Sequence, residues 1–167
     1  MASSDEVTKL GPRHVSLSPT NQQMAQVAAQ EAKSRQGRHA SYITVVADDC
    51  LNCMDFSKSF DAAAKSIGLK KIDELKITGE SFETESIRKT IVAKNPNFVL
   101  LPNYSKVSNI IMNAFNEVKK APLFVGGDGW GNNKYGFVQN GLNIDNIRGF
   151  TVSGFPPVEQ QRVQFRI

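Results

Sequence analysis

The chain has 167 residues, 40% apolar and 22% charged, with a net charge of +4 at neutral pH. That length suits one domain of ordinary size, able to bury roughly two thirds of the surface its unfolded form exposes, and the composition excludes a disordered or fibrous protein. No apolar run reaches the roughly 20 residues of a membrane span, and the positive charge is spread along the sequence, not gathered into the patch of a nucleic-acid binder.

The opening Met1-Ala2-Ser3-Ser4-Asp5-Glu6 lacks the basic and apolar regions of a secretory signal. Arg13 to Leu17 reads as a short strand. Ser18-Pro19 then predicts a helix start, with serine as the cap and proline in the first turn. From Thr20 to Gln36, Met24, Val27, Ala28 and Ala32 fall on one face, and Gly37 suits the stop. Ser41 to Ala47 is β-branched and apolar, as a strand covered on both faces is. Met54 to Ile67 predicts a helix with Phe56, Phe60, Ala63, Ala64 and Ile67 on one stripe, ended by Gly68. The alternation of apolar and charged residues from Ile72 to Thr78 predicts a strand near a sheet edge.

A helix follows over Glu83 to Lys94, broken by Asn95-Pro96, then a buried strand over Phe98 to Leu101. Ser105 to Lys120 reads as a helix with Val107, Ile110, Ile111, Ala114, Phe115 and Val118 on its apolar face. Leu123 to Val125 is another buried strand, and Gly126-Gly127-Asp128-Gly129-Trp130-Gly131 follows it. A short helix around Asn133 to Gln139 and a strand over Gly149 to Ser153 complete the order, with a polar tail from Phe155. Strands alternating with helices at this spacing predict a three-layer α/β/α fold with a mainly parallel sheet of about five to six strands, flavodoxin-like. Residues 1–12 form a polar lead-in, 13–157 the α/β unit and 158–167 the tail.

In such a sheet, ligands bind beyond the carboxyl ends of the strands, near the switch in strand order. That rule selects Asp48 to Cys53, Gly79 to Phe82, Pro102 to Ser105, and the glycine-rich loop with Asp128 and Trp130. Acids beside aromatic residues suit a small ligand with a positive amino group: a charge-assisted bond to Asp128 is worth about 1.5–3 kcal/mol, and a cation gains further over a ring. Glycines there let backbone approach a ligand closely. Gly126-Gly127-Asp128-Gly129 equally fits a tight turn in which the aspartate bonds its own backbone.

Two stretches, Phe98-Val99-Leu100-Leu101-Pro102-Asn103-Tyr104 and Pro122-Leu123-Phe124-Val125-Gly126-Gly127-Asp128-Gly129, resemble the second lobe of a type I periplasmic binding protein of the leucine/isoleucine/valine-binding (amino-acid receptor) family. Val15 to Gln23 resembles the family's crossing into that lobe, and Gly149 to Ser153 the strand before the chain crosses back. The resemblance implies a ligand-recognition lobe of an ABC-transporter solute-binding protein or of a sensor, periplasmic or extracellular, with no catalysis, cofactor or metal. It implies that Tyr104 and Asp128 hold the ligand's amino group. From their places in the selected loops, Asp49 and Asn103 are expected to line the mouth of the site, and Trp130, near the acid, to narrow or cap it. The family's tyrosine before a helical glycine matches Phe56-Ser57, which removes a hydroxyl. The implied partners are a small-molecule ligand such as an amino acid, a first lobe that Met1 to Leu10 is too short to supply, and a membrane permease or attached signalling domain. A homo-oligomer stays open; nucleic acid is not a partner. A lone second lobe is expected to bind weakly.

Cys50-Leu51-Asn52-Cys53 admits other readings. A C-x-x-C after a buried strand and at a helix start is where a thioredoxin-like oxidoreductase holds its redox pair, but such enzymes add a proline beside the pair and antiparallel strands. A structural bridge in an oxidising compartment and a pair of free thiols are the remaining readings. His14 and His39 sit near strand starts, away from the ligand edge, and do not complete a zinc set with the cysteines. Asp48-Asp49 invites a phosphoryl-receiver reading, yet the strand Phe98 to Leu101 ends in Pro102-Asn103 where a receiver needs an aspartate.

Overall fold

The computed structural model describes residues 19–152, apart from 80, 131–136 and 138. The expected strand over 13–17 and the tail from 155 lie outside these residues, as does most of the expected helix over 133–139. Helix α1 spans Asn21–Gln36, followed by strand β1 (Ser41–Ala47), helix α2 (Leu51–Ser66), strand β2 (Lys70–Ile77) and helix α3 (Thr84–Lys94). Strand β3 (Phe98–Leu101), helix α4 (Ser105–Asn113), strand β4 (Leu123–Gly126), a 3-10 turn (Asp128–Trp130) and strand β5 (Gly149–Thr151) complete the order. The five strands form one sheet in the order β2-β1-β3-β4-β5, every neighbouring pair parallel.

Alternating side chains divide the core between the two faces, as the period of a strand requires. Tyr42, Phe98, Leu100, Leu123 and Val125 point to the layer of α1 and α2. Ile43, Val45, Val99, Leu101 and Phe124 point to the layer of α3 and α4. Tyr42 anchors the first face: its ring stacks on Phe98 at 5.0 Å and meets Phe60 edge-on at 5.4 Å. Its hydroxyl donates to Asp61 Oδ1 at 2.9 Å, and Lys71 pairs with the other oxygen of Asp61. Burial, reinforced by the Asp61 charge, pushes the Tyr42 phenol far above its ordinary range.

β2 is an edge strand, as its charge pattern predicts. Lys94 on α3 pairs with Asp73 at 2.8 Å, and charged side chains along such an edge discourage pairing with another chain.

Four element boundaries or faces differ from expectation. The cap of α1 is Thr20, which forms a reciprocal capping box with Gln23, because that pair satisfies two orphan amides at once. Its buried stripe is Asn21, Met24, Ala25, Ala28, Ala29 and Ala32, while Val27 is 58% exposed; small alanines let α1 lie close against α2, so they set the face. Helix α2 begins at Leu51 with Cys50 as its cap, three residues earlier than expected. Helix α4 stops at Asn113. Beyond it, Phe115 and Val118 donate to carbonyls three residues back, and Asn146 Nδ2 takes the carbonyls of Phe115, Asn116 and Val118 at 3.3, 2.8 and 3.0 Å.

Candidate functional site: a cleft at the switch in strand order

β1 continues through α2 to β2 on one side, whereas β3 continues through α4 to β4 on the other. Right-handed crossovers therefore place α2 and α4 on opposite faces, and the loops after β1 and β3 diverge. Between them lies a cleft of about 410 Å³. From the β1 side it is lined by Ala47, Asp49 and residues Cys50 to Cys53. Gly79 joins it from the β2 end, and Asn103, Tyr104 and Val107 line the opposite wall.

The β1 loop is tied to the end of β2. Asp48 N–H donates to the Ile77 carbonyl at 2.9 Å, Thr78 Oγ1 donates to Asp48 Oδ1 at 2.9 Å, and Gly79 N–H donates to Asp49 Oδ2 at 3.1 Å. The acid pair is thus engaged in holding two loops together, and β3 ends in Pro102-Asn103, so the receiver reading has no support here. Asp49 is the cleft's single carboxylate, and no cationic side chain lines it among the described residues. Asn52 Oδ1 accepts from the buried Asn21 Nδ2 at 3.0 Å, which joins the start of α2 to the start of α1.

Cys50 and Cys53 are joined by a disulfide across the first turn of α2, with Cα atoms 5.2 Å apart. Cys50 Sγ also accepts the Cys53 N–H at 3.2 Å, so sulfur does the capping that an oxygen usually does. Among the described residues the sheet is all parallel and supplies none of the antiparallel strands of a thioredoxin-like enzyme, and that reading is not favoured.

Across the cleft, Asn103 is 1% exposed. Its Nδ2 donates to the Val45 carbonyl and its Oδ1 accepts the Ala47 N–H, both at 2.8 Å. It lines the cleft as expected, but its amide is spent on backbone. Tyr104, by contrast, is 56% exposed and caps α4 with its backbone only.

The glycine-rich loop makes room for this chain's own rings. A Cβ on Gly126 would lie 2.2 Å from the Trp130 indole, one on Gly127 3.5 Å from the Phe56 ring, and one on Gly129 3.1 Å from the Tyr104 ring. Close approach is therefore their use, as expected, but the approaching groups are internal. Trp130 is buried, not capping: its Nε1 donates to Ser108 Oγ at 2.8 Å, and Ser108 Oγ donates to the Asn103 carbonyl at 3.1 Å. Phe56 is likewise in the core. Asp128 opens the 3-10 turn, half-buried, one residue from the glycine that Tyr104 abuts; it does not line the cleft.

The structure thus brings together Asp49, Cys50, Cys53, Asn103 and Tyr104 and leaves Phe56, Asp128 and Trp130 outside the cleft. Leu51 and Asn52 in the first turn of α2, Gly79, and Val107 on α4 also line the cleft, within or beside the segments that the switch rule selects, without being singled out by it. Leu51, 76% exposed, carries the clearest retrospective signal: an unpaired large apolar residue directly after a strand-end loop. Among the described residues no group of three or more His, Cys, Asp or Glu is placed to hold a metal, and no helix is long and apolar enough to cross a membrane.

No protein-family model and no curated protein matches the sequence. Solved structures share the fold. A protein from Rhodospirillum rubrum assigned to branched-chain amino acid ABC transport superposes with a TM-score of 0.74 at 14% identity, over 98% of this chain and 46% of that one. The leucine-binding protein LivK of Thermotoga maritima gives 0.67 at 14% identity, over 77% of this chain and 36% of that one. An ABC transporter substrate-binding protein of Desulfitobacterium hafniense, solved in complex with Leu, gives 0.64 at 15% identity, over 77% and 38%. The chain spans less than half the length of each of these structures. Its fold is that of one α/β lobe of an ABC transporter substrate-binding protein.

Proposed function

We propose that the chain is a ligand-recognition lobe of a solute-binding protein that serves ABC transport or sensing on the periplasmic or extracellular side. Its ligand is a small amine-bearing solute, an amino acid or a close relative. The observation that carries this reading is the cleft at the switch in strand order: one carboxylate, Asp49, no lining cation, and two exposed apolar groups, Leu51 and Tyr104, on its rim. A solute amine would meet Asp49 or Asp128, and its apolar part would cover Leu51 and the Tyr104 ring. Solved proteins of the same fold that bind Leu support the class of solute.

Work in such a protein comes from different affinities of open and closed states, with the ligand clasped between two lobes. The chain matches at most 46% of the length of the structures named above, and we assign the rest of the clasp to a second lobe. One lobe offers half of the contacts, so millimolar binding is expected of this chain alone, worth about 4 kcal/mol.

The test is a two-dimensional amide NMR titration with single amino acids and with their N-acetylated forms. Saturable shifts confined to residues 47–53, 79, 103–107 and 128, lost on acetylation, are expected. Shifts elsewhere, or equal shifts with the acetylated forms, would overturn the reading.

A further inference from the structure

The cleft reading leaves the disulfide at its edge without a role. Its two sulfurs are unequal. Both line the cleft, but Cys53 is 1% exposed in the first turn of α2, whereas Cys50 is partly exposed. An attacking thiolate entering from the cleft meets Cys50 first. The sulfur that must then leave, Cys53, is released into the first turn of a 16-residue helix, while its own N–H donates to the Cys50 sulfur. Accessibility therefore sets the direction of attack: the partly exposed sulfur is attacked and the buried one leaves.

We propose that Cys50 is a thiol-exchange site opening into the cleft, selective for small thiols that carry a positive or neutral group. The thiolate RS⁻ forms a bond to Cys50 Sγ, the Cys50–Cys53 bond breaks, and the electron pair leaves on Cys53, which takes a proton from solvent. A second thiolate attacking the R-bearing sulfur releases RSSR and leaves Cys50 as a thiol, so two thiols are oxidised and one disulfide is reduced. The selectivity comes from Asp49, which precedes Cys50 and is the carboxylate of the cleft wall. Each unit of negative charge added to the thiol slows attack about threefold at low salt, as screened Coulomb repulsion across a solvated cleft requires.

Folded protein is treated with cysteamine, 2-mercaptoethanol and thioglycolate, quenched in acid and mapped by mass spectrometry. Each rate is divided by that thiol's rate with bis(2-hydroxyethyl) disulfide. The expected result is a mixed disulfide on Cys50, rates falling in the order given, and an order that collapses in Asp49→Asn and in 1 M salt. With bis(2-hydroxyethyl) disulfide as the reagent, Cys53→Ser accumulates a stable Cys50 adduct, whereas Cys50→Ser reacts at least tenfold more slowly. Thermal melts check that both variants fold, and the wild-type map stands alone if either does not. A disulfide that opens only after denaturation, an adduct on Cys53, or rates independent of thiol charge would overturn the proposal. No solute is needed, so its failure and the failure of the solute-binding reading are separable.

Discussion

Asn103 completes the backbone pairing of Ala47 from the end of the neighbouring strand. The β1–β3 register runs through Tyr42–Phe98, Ile43–Val99 and Thr44–Leu100. Past it, the Asn103 carboxamide accepts the Ala47 N–H and donates to the Val45 carbonyl, as a peptide group would. Side-chain bonds thus hold the mouth of the cleft where the two strands diverge. Asn103→Ala strands a buried donor and a buried acceptor, which costs about 2–4 kcal/mol. Asn103→Asp keeps the acceptor but turns a carboxylate oxygen on the Val45 carbonyl, and is expected to cost no less. Urea unfolding reads both; a loss under 0.5 kcal/mol in Asn103→Ala would show that the bridge carries no stability.

The Gly126–Trp130 contact makes a separate prediction. A methyl group at Gly126 meets the indole at 2.2 Å, and the indole is fixed by Phe137 and by its bond to Ser108. Gly126→Ala is expected to destabilise by about 2–4 kcal/mol and to red-shift the fluorescence of the single tryptophan, as the ring is forced outward. In a Trp130→Ala background the same substitution should cost under 1 kcal/mol, because the two sites are coupled through one clash. Additive costs would place the strain elsewhere.

The layers of the fold were legible because their signals are local. Ser41–Ala47 is apolar and β-branched throughout, and that stretch forms β1 with both faces buried. The loops after β1, β2 and β3 that line the cleft followed as well, since strand alternation fixes which loops leave the carboxyl edge, whereas the glycine-rich loop after β4 does not line it. What stayed hidden depends on partners distant in sequence. The early end of α4 depends on Asn146, about thirty residues later. The burial of Trp130 depends on Ser108 and on Gly126 lacking a side chain, and a tryptophan beside glycines in a loop reads equally well as a ligand platform. Val27 shares helical spacing with Met24 and Ala28, but the buried face turns instead toward Ala25 and Ala29, because alanines decide how closely two helices approach.

Alkaline pH should loosen the fold through Tyr42. The phenol is raised in the folded state by burial and by the Asp61 carboxylate, whereas in the unfolded chain it ionises near pH 10. A folded-state pKa above the unfolded value means stability that is complete below about pH 10 and declines as pH rises beyond it. One such proton gives a slope of about 1.4 kcal/mol per pH unit. Lys71 adds to the loss in the same direction. Burial lowers its pKa, but its bonds to Asp61 and Glu74 outweigh that and leave it raised. Tyr42→Phe removes the phenol's share and gives up roughly 1 kcal/mol at neutral pH with the bond to Asp61. Urea midpoints between pH 8 and 11.5 should therefore fall more steeply in the wild type than in the variant. Parallel curves would mean that Tyr42 ionises in the folded protein.

Asp49 and Asp128 offer a solute amine two carboxylates with different surroundings, and substitution separates them. Asp49 lines the cleft and already accepts one backbone bond from Gly79. Asp128 stands a strand away, beside the glycine against which Tyr104 packs. If the amine sits over the exposed Tyr104 ring on the Asp128 side, Asp128→Asn weakens amino-acid binding about tenfold or more, on the worth of a charge-assisted bond, and Asp49→Asn changes it less than threefold. If the solute lies within the cleft, the order reverses. Tyr104→Ala, which removes the ring in either placement, should weaken both. The titration of amide shifts reads all three variants at the same peaks. Full affinity in Asp49→Asn and in Asp128→Asn alike would mean that neither carboxylate meets the amine, and the solute would then have to be sought among molecules without one.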